Sequence, residues 1–430
     1  MSSAERVNEK PVAAFVGIDW ADQKHDIVLR AASSDAGLEH YSIANQPEAL
    51  ADWVLELRER FALAGKILIC LEQSRGALIH FLMGYDCFEL YPINPAQLDN
   101  YRKAFAPSGA KDDPSDAQLL CQFISLHRER LRPWRPDDEQ TRKLALFCEK
   151  RRQAVDARSA LSNQLKDELK QYFPLALAVL DNDLTTVLAA DFLLQWPNFE
   201  SLKKASAHKL RKFFYGHHCR SEQKIEARLQ RIQAAEPLTR DCAIIEVGSL
   251  TTEMLARQLK DLAPYIARYE KQIAQLFAQH PDSGLFDNLP GAGDALAPRL
   301  LSAFGSDRER FASSLEAVTF FGVAPVTERS GRSTWIHFRW ACPKFLRQSF
   351  HEFAGHSVHF CEWAAAFYAQ QRARGKGHHA AVRALAYKWI RILFRCWKTR
   401  QPYDPALYLS ALAQRRSPYA APVNNSAQKI

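Results

Sequence analysis

The sequence predicts an α/β domain over residues 1–130 followed by an all-α remainder, and three observations carry that prediction. Short apolar runs of strand length alternate with helical patterns as far as residue 130. Beyond Pro136, long amphipathic stretches with few breakers take their place. From Leu285 to about residue 400 the pattern stays helical but is cut by turns.

Within the first region, AFVGI ends at Asp19 and HDIVLR returns after a polar turn, so residues 14–30 read as a β-hairpin that YSIAN extends. PEALADWVLELRERFA has helical period, KILICLE reads as a buried strand, GALIHFLMG as a short helix and FELYPIN as a further strand. The chain then runs through PAQLDNYRKAFA into SGAKDDPSDAQLL, where three aspartates crowd around one proline. Pro114 suits a first helical position, with Asp113 as N-cap and Asp116 in the first turn. A functional carboxylate pair fits the same residues, and both readings stand at this point.

Residues 137–280 hold two long amphipathic segments, EQTRKLALF through LKQYF and SEQKIEARL through LFAQH. They predict an antiparallel helical arm or an intermolecular coiled coil. Between them Lys203, Lys204, Lys209, Arg211 and Lys212 form a basic insert, which is either a solvated face or a phosphate contact. A third domain is expected over 285–400. Its closing stretch interleaves Arg383, Lys388, Arg391, Arg395, Lys398 and Arg400 with Trp389 and Trp397, which suits a nucleic-acid surface or an amphipathic helix with core tryptophans. Residues 416–430 are expected to be a disordered tail.

The 430 residues carry a formal net charge of +9 and a pI near 9.0, which points to a polyanionic partner, nucleic acid before membrane. No apolar run approaches the roughly 18 residues of a spanning helix, and MSSAERVNEKPVAA lacks a signal-peptide core, so a cytoplasmic location is expected. The nine cysteines include no C-x-x-C pair and indicate neither a zinc ribbon nor a disulfide framework. His217-His218-Cys219 and His356-x-x-His359-x-Cys361 lack the matching second half that a metal site needs.

Phosphoryl chemistry with divalent ions needs carboxylates converging from rigid elements. Asp19 closes the first strand, Glu72 closes KILICLE, and Asp113 and Asp116 lie three apart on one face of a helix start. Strand-borne acids followed by a D-x-x-D helix are the layout of ribonuclease-H-like domains. Residues 15–120 resemble the RuvC-like, DEDD-motif domain of a family of insertion-sequence transposases, a group that also contains the pilin-gene invertase Piv. The motif order falls on Asp19, Glu72, Asp113 and Asp116. The family's A-K-T-D-x-x-D-A is similar to Ala110-Lys111-Asp112-Asp113-Pro114-Ser115-Asp116-Ala117, with Asp112 in place of Thr or Asn, so either Asp112 or Asp113 is the ligand.

A second stretch, Leu289 to Ser333, resembles the same family's C-terminal transposase domain. Pro290-Gly291-x-Gly293, Gly322-x-x-Pro325 and Ser330-Gly331 carry the likeness. Ser330 lies in VTERSGRS, flanked by Arg329, Arg332 and, further on, His337 and Arg339; without the resemblance it reads as an ordinary polar turn. Gly291 and Gly293 open a helix, either as a phosphate-approaching turn or as a plain connection.

The resemblance implies a site-specific recombinase in which Asp19, Glu72, Asp113 and Asp116 bind Mg²⁺ and Ser330 attacks a DNA phosphate to form a phosphoserine intermediate. Lys111, Arg329, Arg332, Arg339, the two glycines and the basic insert are the expected nucleic-acid contacts. It further implies donor and target DNA, a structured noncoding bridge RNA that pairs with both, and a homo-oligomer, dimer or tetramer. The alternative is a hydrolytic, junction-resolving nuclease that uses the same acids with water as nucleophile.

Overall fold

The structure, a computed structural model, describes residues 11–33, 37–61, 65–72, 76–105 and 113–419, with side chains at all of these but 105 and 113–115. Lys111, Asp112 and residues 420–430 lie outside the described residues. The chain divides into two compact units, Met1–Pro136 and Asp137–Ile430.

The first unit runs β1 (Val12–Asp19), β2 (Lys24–Ala31), β3 (Glu39–Ala44), α1 (Pro47–Phe61), β4 (Lys66–Leu71), α2 (Ala77–Leu82), β5 (Phe88–Pro92), α3 (Pro95–Phe105) and α4 (Asp113–His127). Its sheet has the order β3-β2-β1-β4-β5, with β1, β4 and β5 parallel and β2 antiparallel to both its neighbours. Alternation along the strands gives two apolar faces. Val16, Ile18, Ile27, Leu29, Ile67 and Ile69 pack on Leu50, Trp53, Val54 and Leu57 of α1. The opposite face puts Leu68, Cys70 and Tyr91 on Leu120 and Ile124 of α4, and Val28 on Ala117 and Cys121. Each such aliphatic side chain contributes about 1.5–3 kcal/mol on burial. Two covered faces explain why KILICL reads as an unbroken apolar run.

The second unit opens with α5 (Glu139–Tyr172), whose N-cap Asp138 accepts from the Thr141 amide. Short helices follow: α6 (Pro174–Val179), α7 (Val187–Gln195), α8 (Phe199–Lys203), α9 (Ala207–Gly216) and α10 (Glu222–Ala234). Then come α11 (Cys242–Gln279), α12 (Gly293–Phe304) and α13 (Ser314–Phe320), the hairpin β6 (Val326–Ser330) and β7 (Ser333–His337), and α14 (Lys344–Ser357), α15 (Glu362–Ala373), α16 (His378–Thr399) and α17 (Pro405–Gln414). The two long helices pair antiparallel within the chain. Gln140 donates to the Leu276 carbonyl at 3.2 Å, Arg151 meets Glu270 at 2.6 Å, and the Tyr172 and Thr252 hydroxyls are hydrogen-bonded at 2.8 Å. The second amphipathic stretch is not one helix, because Pro237 separates α10 from α11.

Trp389 and Trp397 are fully buried, and their indole N–H groups donate to Ser357 Oγ and the Gly305 carbonyl. The aromatic half of the closing basic stretch is therefore core. Residues 416–419 are anchored although they show no periodicity: Tyr419 packs on Phe367 and under the Lys388 ammonium, 4.3 Å from its ring centre.

Candidate active site

The β1–β4 register pairs Ile18 with Leu71, so Asp19 and Glu72 are the next residues on neighbouring parallel strands. Such strands lie about 4.8 Å apart. Period-two alternation puts Asp19 on the face of Phe15 and Gly17, and Glu72 on the face of Leu68 and Cys70; both are the face that α4 covers.

Gly17 lets α4 approach. A Cβ there would stand 2.1 Å from the Ala117 carbonyl oxygen and 2.4 Å from the Cys121 nitrogen, so no side chain fits. The Cys121 thiol lies 3.5 Å from the Phe15 carbonyl, further back along β1. Advancing along β1 thus means retreating along α4, and the helix start carrying Asp113 and Asp116 comes to the strand end carrying Asp19. Asp116 is only 3% exposed, and its Oδ1 accepts from Arg102 Nε at 3.0 Å and Nη2 at 2.6 Å. The Asp113 side chain is not among those described.

Sequence reasoning missed Asp26. It stands opposite Asp19 in the β1–β2 register and on the same face as Val28; it accepts from Ser42 Oγ and, at 3.4 Å, from Lys24 Nζ. The hairpin reading contained the signal, since counting back from the turn puts residue 26 beside 19. A set made only of carboxylate oxygens suits a hard divalent cation such as Mg²⁺. Among the described residues no three acids or histidines stand close enough to enclose one, and Asp116 is turned to Arg102. The thiols beneath this corner are kept protonated at neutral pH: burial pushes Cys121 up to about 11 and raises Cys70 further.

Ser330 ends β6, and Gly331, at φ 55°, and Arg332 close the hairpin. Here the structure differs from the expected turn in a helical domain. VTERS and STWIH alternate but are exposed on both sides, so no apolar face announces the strands. Ser330, Ser333, Glu328, Trp335, Val326 and His337 share one face, and Arg329 points to the other. His337 Nε2 donates to Glu328 at 2.8 Å, an arrangement that could serve a nucleophile. It stands four strand residues from the Ser330–Ser333 rung, about 13 Å at 3.3 Å per residue, too far to take the serine proton. Arg339 Nε donates to the Ala324 carbonyl.

The remaining expected nucleic-acid contacts divide by partner. Lys203 donates to the carbonyls of Ile232, Gln233 and Ala235 and so closes the end of α10. Arg211 binds Glu222 and Glu226, Lys204 stands 3.8 Å from Glu200, Lys209 lies over the Trp196 ring, and Lys212 is exposed. Gly291 has φ 80°, and a Cβ there would lie 3.0 Å from the His356 backbone; Gly293, at φ 54°, faces open space at the start of α12.

Comparison with known proteins matches residues 16–174 to the DEDD-type transposase family named for IS110, and residues 283–369 to the transposase IS116/IS110/IS902 family. A Streptomyces coelicolor protein designated the mini-circle transposase for IS117 is 28% identical over 94% of this chain and 99% of its own length. The insertion element IS110 protein of the same organism is 26% identical over 79% of this chain and 81% of its own. One from the insertion element IS900 of Mycobacterium paratuberculosis is 24% identical over 70% and 75%. With both halves matched in order to the same group, the chain belongs to the IS116/IS110/IS902 family of transposases, enzymes that act on DNA.

Proposed function

We propose that this transposase cuts and rejoins DNA through a phosphoserine link at Ser330, with Asp19, Glu72, Asp113 and Asp116 holding Mg²⁺ in an RNase H-like, RuvC-like domain. The observation that carries the reading is the β1–β4 register taken with the direction of α4, which gathers strand-end acids and a D-x-x-D helix start at one end of the sheet. The bound ion supplies neutralising charge for the phosphate under attack. Asp26 adds a further carboxylate beside Asp19.

The Ser330 hydroxyl attacks phosphorus and gives its proton to a general base other than His337, whose rung lies too far along the hairpin. The P–O bond to the departing strand breaks, and that strand leaves as a hydroxyl after taking up a proton. Attack by the incoming strand's hydroxyl reverses the step, so one phosphodiester replaces another without net hydrolysis. The +9 charge suits two polyanions, DNA and a structured bridge RNA. The working form is a homo-oligomer in the cytoplasm.

The test uses supercoiled donor DNA with Mg²⁺. Wild type is expected to yield a covalent protein–DNA adduct, Ser330→Ala neither adduct nor cleavage, and Asp19→Asn neither. Full strand cleavage by Ser330→Ala would instead establish a hydrolytic nuclease with water as nucleophile.

A further inference from the structure

Among the described residues the ribbon carrying Ser330 is largely exposed, and aromatic side chains on it and just past it stand out. Trp335, one ring face stacked on His337 at 4.5 Å and the other open, is 62% exposed, and Trp340 78%. A two-stranded ribbon alone is marginal in water, and an exposed tryptophan leaves much of its 150–250 Å² of apolar surface uncovered. Charge indicates what covers it. Phe338, just past β7, lies under two guanidinium groups, Arg347 at 4.2 Å and Arg383 at 5.0 Å from its ring centre, and meets Trp340 edge-on at 5.3 Å. His351 on α14 packs 5.4 Å from His379, which lies 4.9 Å from His378 at the start of α16. That helix begins without a side-chain cap or an acid in its first turn. Glu352, the carboxylate that His351 feels, is already bound by Arg152 and Arg299. Burial, then the neighbouring His379, Arg383 and His378, hold His351 below the ordinary histidine value; burial and Arg347 lower Arg383. Among the described residues no ion pair within 4 Å engages Arg347 or Arg383, so the two guanidinium groups carry the positive charge of this surface.

We propose that this ridge binds an unpaired DNA strand, with bases stacked on Trp335 and Trp340 and phosphates held by Arg347, Arg383, His351, His378 and His379. Stacking on a flat exposed indole needs a free base face, which a closed duplex does not offer. Trp335 shares the face of Ser330, at the diagonal cross-strand position about 7–8 Å away. A base seated there carries its flanking backbone to the serine. The choice of DNA over RNA rests on Ser330 being the nucleophile.

The test is fluorescence anisotropy of the full chain with a labelled DNA strand, the same strand annealed to its complement, and an RNA strand of the same sequence. Trp335→Ala and Trp340→Ala are each expected to weaken strand binding about ten-fold, a stacking-sized loss, and duplex binding less than about two-fold. Trp335→Phe should keep most of the affinity. The double variant Arg347→Ala/Arg383→Ala should weaken strand and duplex together and lower the salt slope by about two ions. Trp variants that bind the DNA strand like wild type, that lose only RNA, or that change the oligomeric state instead would overturn the proposal. Unchanged strand binding by the Trp variants, with the adduct still lost in Ser330→Ala, removes the ridge and leaves the recombinase reading standing. Lost strand binding, with the adduct kept in Ser330→Ala, does the reverse.

Discussion

Asp19 closes a strand with neighbours on both sides and a helix across its face, whereas Ser330 sits at the tip of a ribbon whose described residues are largely exposed. The acids are placed by a core: strand register sets the spacing of Asp19 and Glu72, and Gly17 sets how closely α4 delivers Asp116. The serine is placed by a five-pair antiparallel ladder and a glycine turn. On the proposed reading the acids need that rigid frame, since carboxylates brought together around an ion repel one another until it binds. A nucleophile on an exposed ribbon can instead take its final position from the strand it binds.

The largest effect belongs to Gly17. Gly17→Val would drive a side chain into the Ala117 carbonyl and Cys121 nitrogen, backbone groups that cannot rotate away. A loss of at least 3 kcal/mol, about the top of the overpacking range, is expected, seen as a lower melting temperature together with loss of strand cleavage. Arg102→Ala comes next. It leaves the Asp116 carboxylate buried without its guanidinium, which should cost about 3 kcal/mol in chemical denaturation. Arg102→Lys should restore part of this, since one ammonium replaces two N–H donors.

A smaller effect is pH-dependent and tests the frame of the second unit. His280 Nδ1 accepts from the Asp282 amide at 3.1 Å, and its other nitrogen lies 2.9 Å from Thr141 Oγ1, which donates to Asp138 at 2.6 Å. Burial is the main force holding His280 below its ordinary 6.5, and a proton on Nδ1 would break the Asp282 contact. A group with folded pKa below its unfolded value stabilises fully above the unfolded one. Stability is thus lost as pH falls from 6.5 through the folded value. Burial raises Asp138, but hydrogen bonds from Ser306 and Thr141 outweigh it and hold the acid at about 2, so a second loss follows between about 4 and 2. Melting temperature should fall over the first window, and His280→Gln should flatten that part of the profile. The smallest effect is on the ribbon: Ser330→Ala should change stability by less than about 0.5 kcal/mol, as exposed sites do, while removing the adduct.

Periodicity made most of this fold legible. The strands of the first unit, α1 and the acidic start of α4 follow from alternation, helical spacing and one proline. The candidate acids were legible because strand ends and a helix start are local features. Asp26 was not, because it matters only through its register with Asp19. The ribbon was hidden since both its faces are wet and alternation had no apolar side to mark. The partners of Arg102 and Lys203 lie 14 and about 30 residues away, so neither the buried ion pair nor the capped helix end shows in local sequence.

The most direct test is to trap the covalent complex formed with Mg²⁺ and donor DNA, digest both protein and nucleic acid, and locate the residual nucleotide by mass spectrometry. The account predicts a phosphate-linked nucleotide on the peptide carrying Ser330, absent without divalent ion and absent from Asp19→Asn. A nucleotide on another residue, or cleaved DNA with unmodified Ser330 throughout, would contradict it.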